Sequence, residues 1–133
     1  MGAFEDTTAL SRAYEAFQAK DLTTLDRLFA DDVRFRLEPG FWLGESGEAT
    51  TKAELFAEFQ GLLERWPRPH LLIHDVTASD RHMVGVFSSF PDGPDGEELL
   101  STHICHVKAG QLHRIWQANL NSARLLARWR EKS

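Results

Sequence analysis

LLSTHICHVKAGQLHRIWQANL, residues 99–120, reads as two long strands folded back on each other at Ala109-Gly110. Leu99 to Lys108 and Leu112 to Leu120 are rich in β-branched, aromatic and other bulky residues, and the small pair between them is a turn signal. Upstream, Leu71 to Thr77 and Met83 to Phe90 have the same character, bounded by Ser79-Asp80 and by the PDGPDG run at 91–96. Four strands joined by hairpins are therefore predicted over 71–120, with the PDGPDGEE segment as a solvated tip.

The first half of the chain has the other period. Leu10, Ala13, Tyr14 and Phe17 share one stripe behind the candidate caps Asp6, Thr7 and Thr8, which predicts a helix over about 7–19. Asp21 caps a short second helix with Leu22, Leu25, Leu28 and Phe29 on its apolar face, ending near Asp31. Val33, Phe35 and Leu37 then alternate with Arg34, Arg36 and Glu38, a strand with one buried face that stops at Pro39-Gly40. Residues 41–50 read as a loop, with Phe41, Trp42 and Leu43 its apolar exception. Thr51 and Glu54 have capping-box spacing, and Leu55, Phe56, Phe59, Leu62, Leu63 and Trp66 recur at helical spacing up to Pro67 and Pro69. Asn121 can cap a short closing helix bearing Leu125, Leu126 and Trp129. Helices precede the meander of strands, so the class is α+β rather than a doubly wound α/β chain.

With 133 residues, one domain spanning 1–133 is expected. A formal charge of −5 with scattered basic residues leaves no nucleic-acid footprint. The basic run Arg124, Arg128, Arg130 and Lys132 falls in the last turns of the closing helix, where cations complement the helix dipole. The single cysteine, Cys105, has no internal disulfide partner. The start MGAFEDTTAL lacks the pattern of a signal peptide, and no apolar run reaches the roughly 20 residues that span a bilayer, so a cytoplasmic location without membrane insertion is expected.

Three stretches carry a resemblance: YEAFQAKDLTTLDRLFADDVRF at 14–35, the glycine-containing loop before the third helix, and HICHVKAGQLHRIWQANLN at 103–121. In this order they resemble the nuclear transport factor 2-like superfamily, including ketosteroid isomerases and SnoaL-like polyketide cyclases. The resemblance implies a cone: a curved antiparallel sheet packed on three N-terminal helices, with a short C-terminal helix and a mouth opening onto a small-molecule pocket. It implies no cofactor. The catalytic pattern of the isomerases is mostly missing. Leu37 stands at their catalytic aspartate, with Glu38 one residue out of register. Ala13 stands at their first-helix tyrosine, with Tyr14 adjacent, and His103 at their second aspartate. Asn119 stands where the SnoaL-like cyclases carry an aspartate.

Strand parity sorts the candidates. An inward His103 shares its face with Leu99, Ser101, Cys105 and Val107, and an inward Asn119 brings Gln117, Ile115 and His113 with it. His103 is the candidate general acid or base, since an imidazole titrates near neutrality, and Asn119 is its candidate partner. Gln117, Ile115, Ser101, Tyr14, Phe35, Leu37, Trp42 and Phe59 are the expected substrate-binding residues, with Tyr14 read as a core residue whose hydroxyl lies near the edge. Trp42 and Phe41 either form a lid or cap the core. Cys105 is an inert buried thiol or a nucleophile activated by His103. Trp116 and Arg114 lie on the outer face, which is expected to pair two copies as a homodimer.

No metal is expected. His70 and His74, if on one strand face, would lie about 13 Å apart at roughly 3.3 Å per residue, too far to share an ion. The expected function is binding and acid–base transformation of a small, largely apolar, carbonyl-containing molecule by isomerisation, dehydration or cyclisation. A non-catalytic ligand-binding protein and a dimerisation module of the same fold remain the alternatives.

Overall fold

The computed structural model describes residues 2–66, 68–79, 81–90, 93–120 and 127, with side chains from residue 8 onward. Apart from Ala127, the closing helix expected after Asn121 and its basic run lie outside the described residues, as do Pro67, Asp80 and Pro91-Asp92. Among the described residues no helix is long and apolar enough to cross a membrane.

Helix α1 spans Gly2–Gln18, so the caps read at Asp6, Thr7 and Thr8 lie inside it. No proline breaks the stretch before them, and a nucleated helix propagates at one hydrogen bond per residue. Helix α2, Leu22–Leu28, begins at Asp21, whose carboxylate accepts from Thr24 N at 3.1 Å and from Thr24 Oγ1 at 2.6 Å. It ends sooner than its apolar spacing suggested. Gln111 Nε2 donates to Arg27 O at 2.9 Å and Lys52 Nζ to Phe29 O at 3.0 Å, so long-range side chains satisfy the carbonyls that another helical turn would have used. Strand β1, Phe29–Arg36, starts there. The segment read as a loop contains a two-residue strand, β2, Glu48–Ala49, paired antiparallel with β1. Helix α3, Lys52–Arg65, is capped by Thr51, which accepts from Glu54 N at 3.1 Å, while Glu54 Oε1 accepts from Thr50 N at 3.0 Å. The reciprocal bond thus falls one residue before the cap.

Strands β3 (Leu71–Ala78), β4 (His82–Ser89), β5 (Leu99–Lys108) and β6 (Gln111–Asn119) form the expected antiparallel meander. The complete sheet is mixed, in the order β2-β1-β6-β5-β4-β3, because β1 runs parallel to β6. This corrects the all-antiparallel expectation. Hairpins dictate the direction of β3 to β6, but β1 is separated from them by α3, a crossover long enough for either direction.

Helices α1 and α2 pack with α3 on one face of this sheet. Leu25, Val33, Leu55, Met83, Leu99 and Leu112 are among the buried residues that join these layers. Burying a Leu, Val or Met side chain fully stabilises by about 1.5–3 kcal/mol, and the part of this face left unfilled forms the site.

Candidate functional site

The hollow lies between the sheet and α1 and α3 and has a volume of about 140 Å³. A cavity of about 150 Å³ holds a benzene-sized guest, so a hollow of this volume suits one ring with small substituents. Its walls are aromatic and aliphatic, and its polar lining is confined to few groups.

His103 sits in β5, directly opposite Gly85 of β4 on one side and Gln117 of β6 on the other. Its ring stacks on Phe87 at 4.7 Å and meets the edge of Phe35 at 5.7 Å. Tyr14 reaches across from α1, and its hydroxyl lies 2.9 Å from His103 Nδ1. Gly85 makes that reach possible: a Cβ there would stand 2.2 Å from the Tyr14 hydroxyl and 3.0 Å from Leu10 Cδ2. A glycine inside a strand is where another group can approach the backbone closely. The expectation of a tyrosine hydroxyl near the edge is therefore corrected, since the hydroxyl ends on the central imidazole.

Polar contacts continue along the sheet. His103 Nε2 lies 3.0 Å from Gln117 Oε1, Gln117 Nε2 donates to Asn119 Oδ1 at 3.0 Å, and Ser101 Oγ donates to the same oxygen at 2.7 Å. Asn119 Nδ2 in turn donates to Glu38 Oε1 at 3.3 Å. Burial pushes the His103 pKa down to about 4, against the opposing effect of its bond to Gln117, so the ring is neutral at physiological pH. Burial, with a smaller effect from Cys105, pushes the Tyr14 pKa up, and the phenol keeps its proton. Both imidazole nitrogens are engaged, so a ligand gains one only by displacing Tyr14 or Gln117.

His103, Tyr14, Gln117 and Ser101 line the hollow together with Ile115, Phe35, Trp42 and Phe59. Two sequence candidates do not. Leu37 is packed into the core at the end of β1, and Asn119 stands behind the lining, touching it through Gln117 and Ser101. Trp42 packs on Phe35 and Phe59 in the wall, whereas Phe41 and Leu43 are buried in the core. Cys105 is fully buried outside the lining, and burial pushes its thiol up to about 12, which makes it inert rather than nucleophilic.

The inward reading of His113 fails because of a bulge: Val107 pairs with Leu112 and His106 with Arg114, leaving His113 as the extra residue. Leu112 takes the inward place, and His113 Nε2 lies 3.2 Å from Asp32 Oδ2. Sequence reasoning also missed His70, which precedes β3, lines the hollow and packs against Phe90 at 5.4 Å. It missed Phe87 and the role of Gly85 as well, although a glycine between Val84 and Val86 is a visible signal. His74 faces elsewhere, with its Nε2 2.7 Å from Ser88 Oγ and 3.5 Å from Glu98 Oε2. Among the described residues no group of three or more His, Cys, Asp or Glu is placed to hold a metal ion.

None of the curated proteins compared with this chain matches it. Solved structures do. Bal32a, from a soil-derived mobile gene cassette, superposes with a TM-score of 0.85 at 16% identity over 96% of this chain and 98% of its own. IdmH from Streptomyces antibioticus, described as a candidate polyketide cyclase, gives 0.73 at 18% identity over 90% and 95%. A nuclear transport factor 2-like protein of unknown function from Burkholderia pseudomallei gives 0.75 at 19% over 92% and 95%. At such identities the likeness establishes the fold alone. The SnoaL-like domain matches residues 10–115, from α1 into β6. On that match, which takes in both the helices and the sheet that enclose the hollow, the chain belongs to the SnoaL-like domain family.

Proposed function

We propose that this protein binds a small, largely apolar carbonyl compound in the hollow and moves a proton on it, with Tyr14 and His103 as the acid–base pair. One observation carries the reading: a half-buried, neutral imidazole is hydrogen-bonded to a phenol within a largely apolar cavity of one-ring size. With its lone pair on Nδ1, the imidazole is set to receive a proton. A proton leaves the carbon beside the substrate carbonyl for Tyr14 Oη while the phenolic proton passes to His103 Nδ1. The substrate becomes an enolate, and His103 an imidazolium still bonded to Gln117. The nearby enolate offsets the burial penalty on that cation. Return of the proton to another carbon isomerises the substrate, while attack of the enolate on a second carbonyl closes a ring. No electrons are transferred, so the scheme needs no redox cofactor.

The test begins with a panel of single-ring ketones scored by the rise they cause in melting temperature. His103→Gln is expected to bind the same compounds and to lose their conversion. Equal conversion by the variant would remove His103 from the reaction, and binding without conversion by the unaltered protein would support the non-catalytic alternative.

The outer sheet face belongs to this reading as the contact with a second copy of the chain. Leu72 and Ile104 are 49% and 40% exposed there, and Trp116 is half-buried beside His106, with Arg114 exposed. Light scattering is expected to give a dimer that Ile104→Glu splits; a monomer at micromolar concentration would refute it. A cytoplasmic location fits a lone buried cysteine kept as a thiol.

A further inference from the structure

The polar contacts from Tyr14 to Glu38 form one continuous relay, and its members differ in what they can exchange. A tyrosine hydroxyl, a neutral imidazole, a serine hydroxyl and a carboxamide each donate and accept. An ionised carboxylate only accepts. Glu38, exposed just beyond β1, is therefore the member that cannot be turned round.

We propose that Glu38 sets the direction of this relay and so fixes the tautomer of His103. Facing the carboxylate, Asn119 must present its Nδ2, and its Oδ1 then turns inward to accept from Ser101 and from Gln117 Nε2. Gln117, having given its amino group to Asn119, offers Oε1 to the imidazole, which must answer with a proton on Nε2. The remaining lone pair lies on Nδ1, where it accepts from Tyr14. The opposite direction would set the Asn119 oxygen against the Glu38 carboxylate. An exposed carboxylate thus reaches the half-buried imidazole through two amides without touching it. Glu38 is a positioning residue.

The consequence for chemistry rests on the acid–base reading above. In this direction the phenolic proton points at His103, leaving Tyr14 Oη with lone pairs for the ligand, so the pair takes a proton from the substrate before it gives one. The tautomer itself does not depend on any reaction, so the relay stands even where no substrate is converted. Unchanged spectra in both Glu38 variants overturn the relay alone, whereas an Nδ1–H tautomer in the unaltered protein overturns both claims.

Long-range proton–nitrogen correlation spectra of protein labelled with ¹⁵N in its histidine rings report the tautomer directly, with His103 assigned by its absence in His103→Gln. The unaltered protein is expected to show His103 protonated on Nε2. Glu38→Gln, whose amide can donate as well as accept, and Glu38→Lys, which can only donate, are expected to lower the ratio of the Nε2–H to the Nδ1–H form by about threefold or more, an effect in keeping with one hydrogen bond to an ionised acceptor. The lysine variant should show the greater change. A lowered ratio in either variant upholds the proposal, and a raised one overturns it. An Nδ1–H tautomer in the unaltered protein, or both variants keeping its spectrum, would overturn it. Because residue 38 is exposed, neither variant removes a core contact, and backbone spectra verify that the fold is retained.

Discussion

Acidification from pH 6.5 towards 4 should weaken this protein through His103 in particular, and replacing that residue isolates the effect. Burial moves its pKa from 6.5 in the unfolded chain to about 4 in the fold. Between those values the unfolded chain binds a proton that the native ring refuses, so stability rises with pH across the window. The contribution is fully present above pH 6.5 and is lost as the pH falls to about 4. At about 1.4 kcal/mol per pH unit this amounts to about 3 kcal/mol, a substantial part of the roughly 5–15 kcal/mol by which a domain is stable. His103→Gln does not titrate and keeps polar atoms next to Tyr14 and Gln117. Urea unfolding of both proteins at pH values spanning the window gives the difference in unfolding free energy, to which the other histidines contribute equally. The unaltered protein is expected to lose about 3 kcal/mol relative to the variant between neutral pH and pH 4. Parallel curves would refute the imidazole held neutral by its surroundings, and a relative gain in acid would show that the fold prefers the cation.

Gly85→Ala places a methyl group against the Tyr14 hydroxyl and Leu10, and the overpacking is expected to cost about 1–3 kcal/mol in urea unfolding, with displacement of Tyr14 visible as a change in the His103 ring signals. Tyr14→Phe leaves His103 Nδ1 without its donor and should cost about 1–3 kcal/mol, read from the same experiment. Cys105 should resist alkylation at pH 8 in the native protein and react once urea unfolds it; rapid native labelling would contradict its burial. Single-ring ketones should raise the melting temperature more than rigid three-ring analogues do, and the reverse order would show that the enclosed volume does not limit the ligand.

The elements that were legible in the sequence are those whose signal is local. Helix α3 announces itself by Thr51, Glu54 and the 3.6-residue recurrence from Leu55 to Leu63, and the meander by alternation broken at turns. What escaped depends on contacts between distant residues. Nothing in Val33 to Leu37 says that β6 will be its neighbour or that the two run parallel. Parity placed Ser101, His103 and Cys105 on one face of β5 because that strand pairs with β4 without a register shift, and it failed for His113 because a bulge resets the count. Parity also held past the end of β1, where Leu37 is buried and Glu38 exposed in step with Phe35 and Arg36. What it does not show is that Glu38 meets Asn119, 81 positions away. The bond between Tyr14 and His103 joins residues 89 positions apart and needs the bare backbone of Gly85, a coincidence no periodicity encodes.

The claim on which the account rests is that a compound held in the hollow exchanges a proton with Tyr14 and His103. The most direct measurement follows, by proton NMR in heavy water, the signal of the hydrogens beside the carbonyl of a ketone already shown to bind. The unaltered protein should accelerate their replacement by deuterium, and Tyr14→Phe should slow it by about a hundredfold or more, the usual worth of a positioned acid–base group. A bound ketone that exchanges no faster than in buffer, or equally fast with both proteins, would contradict the account.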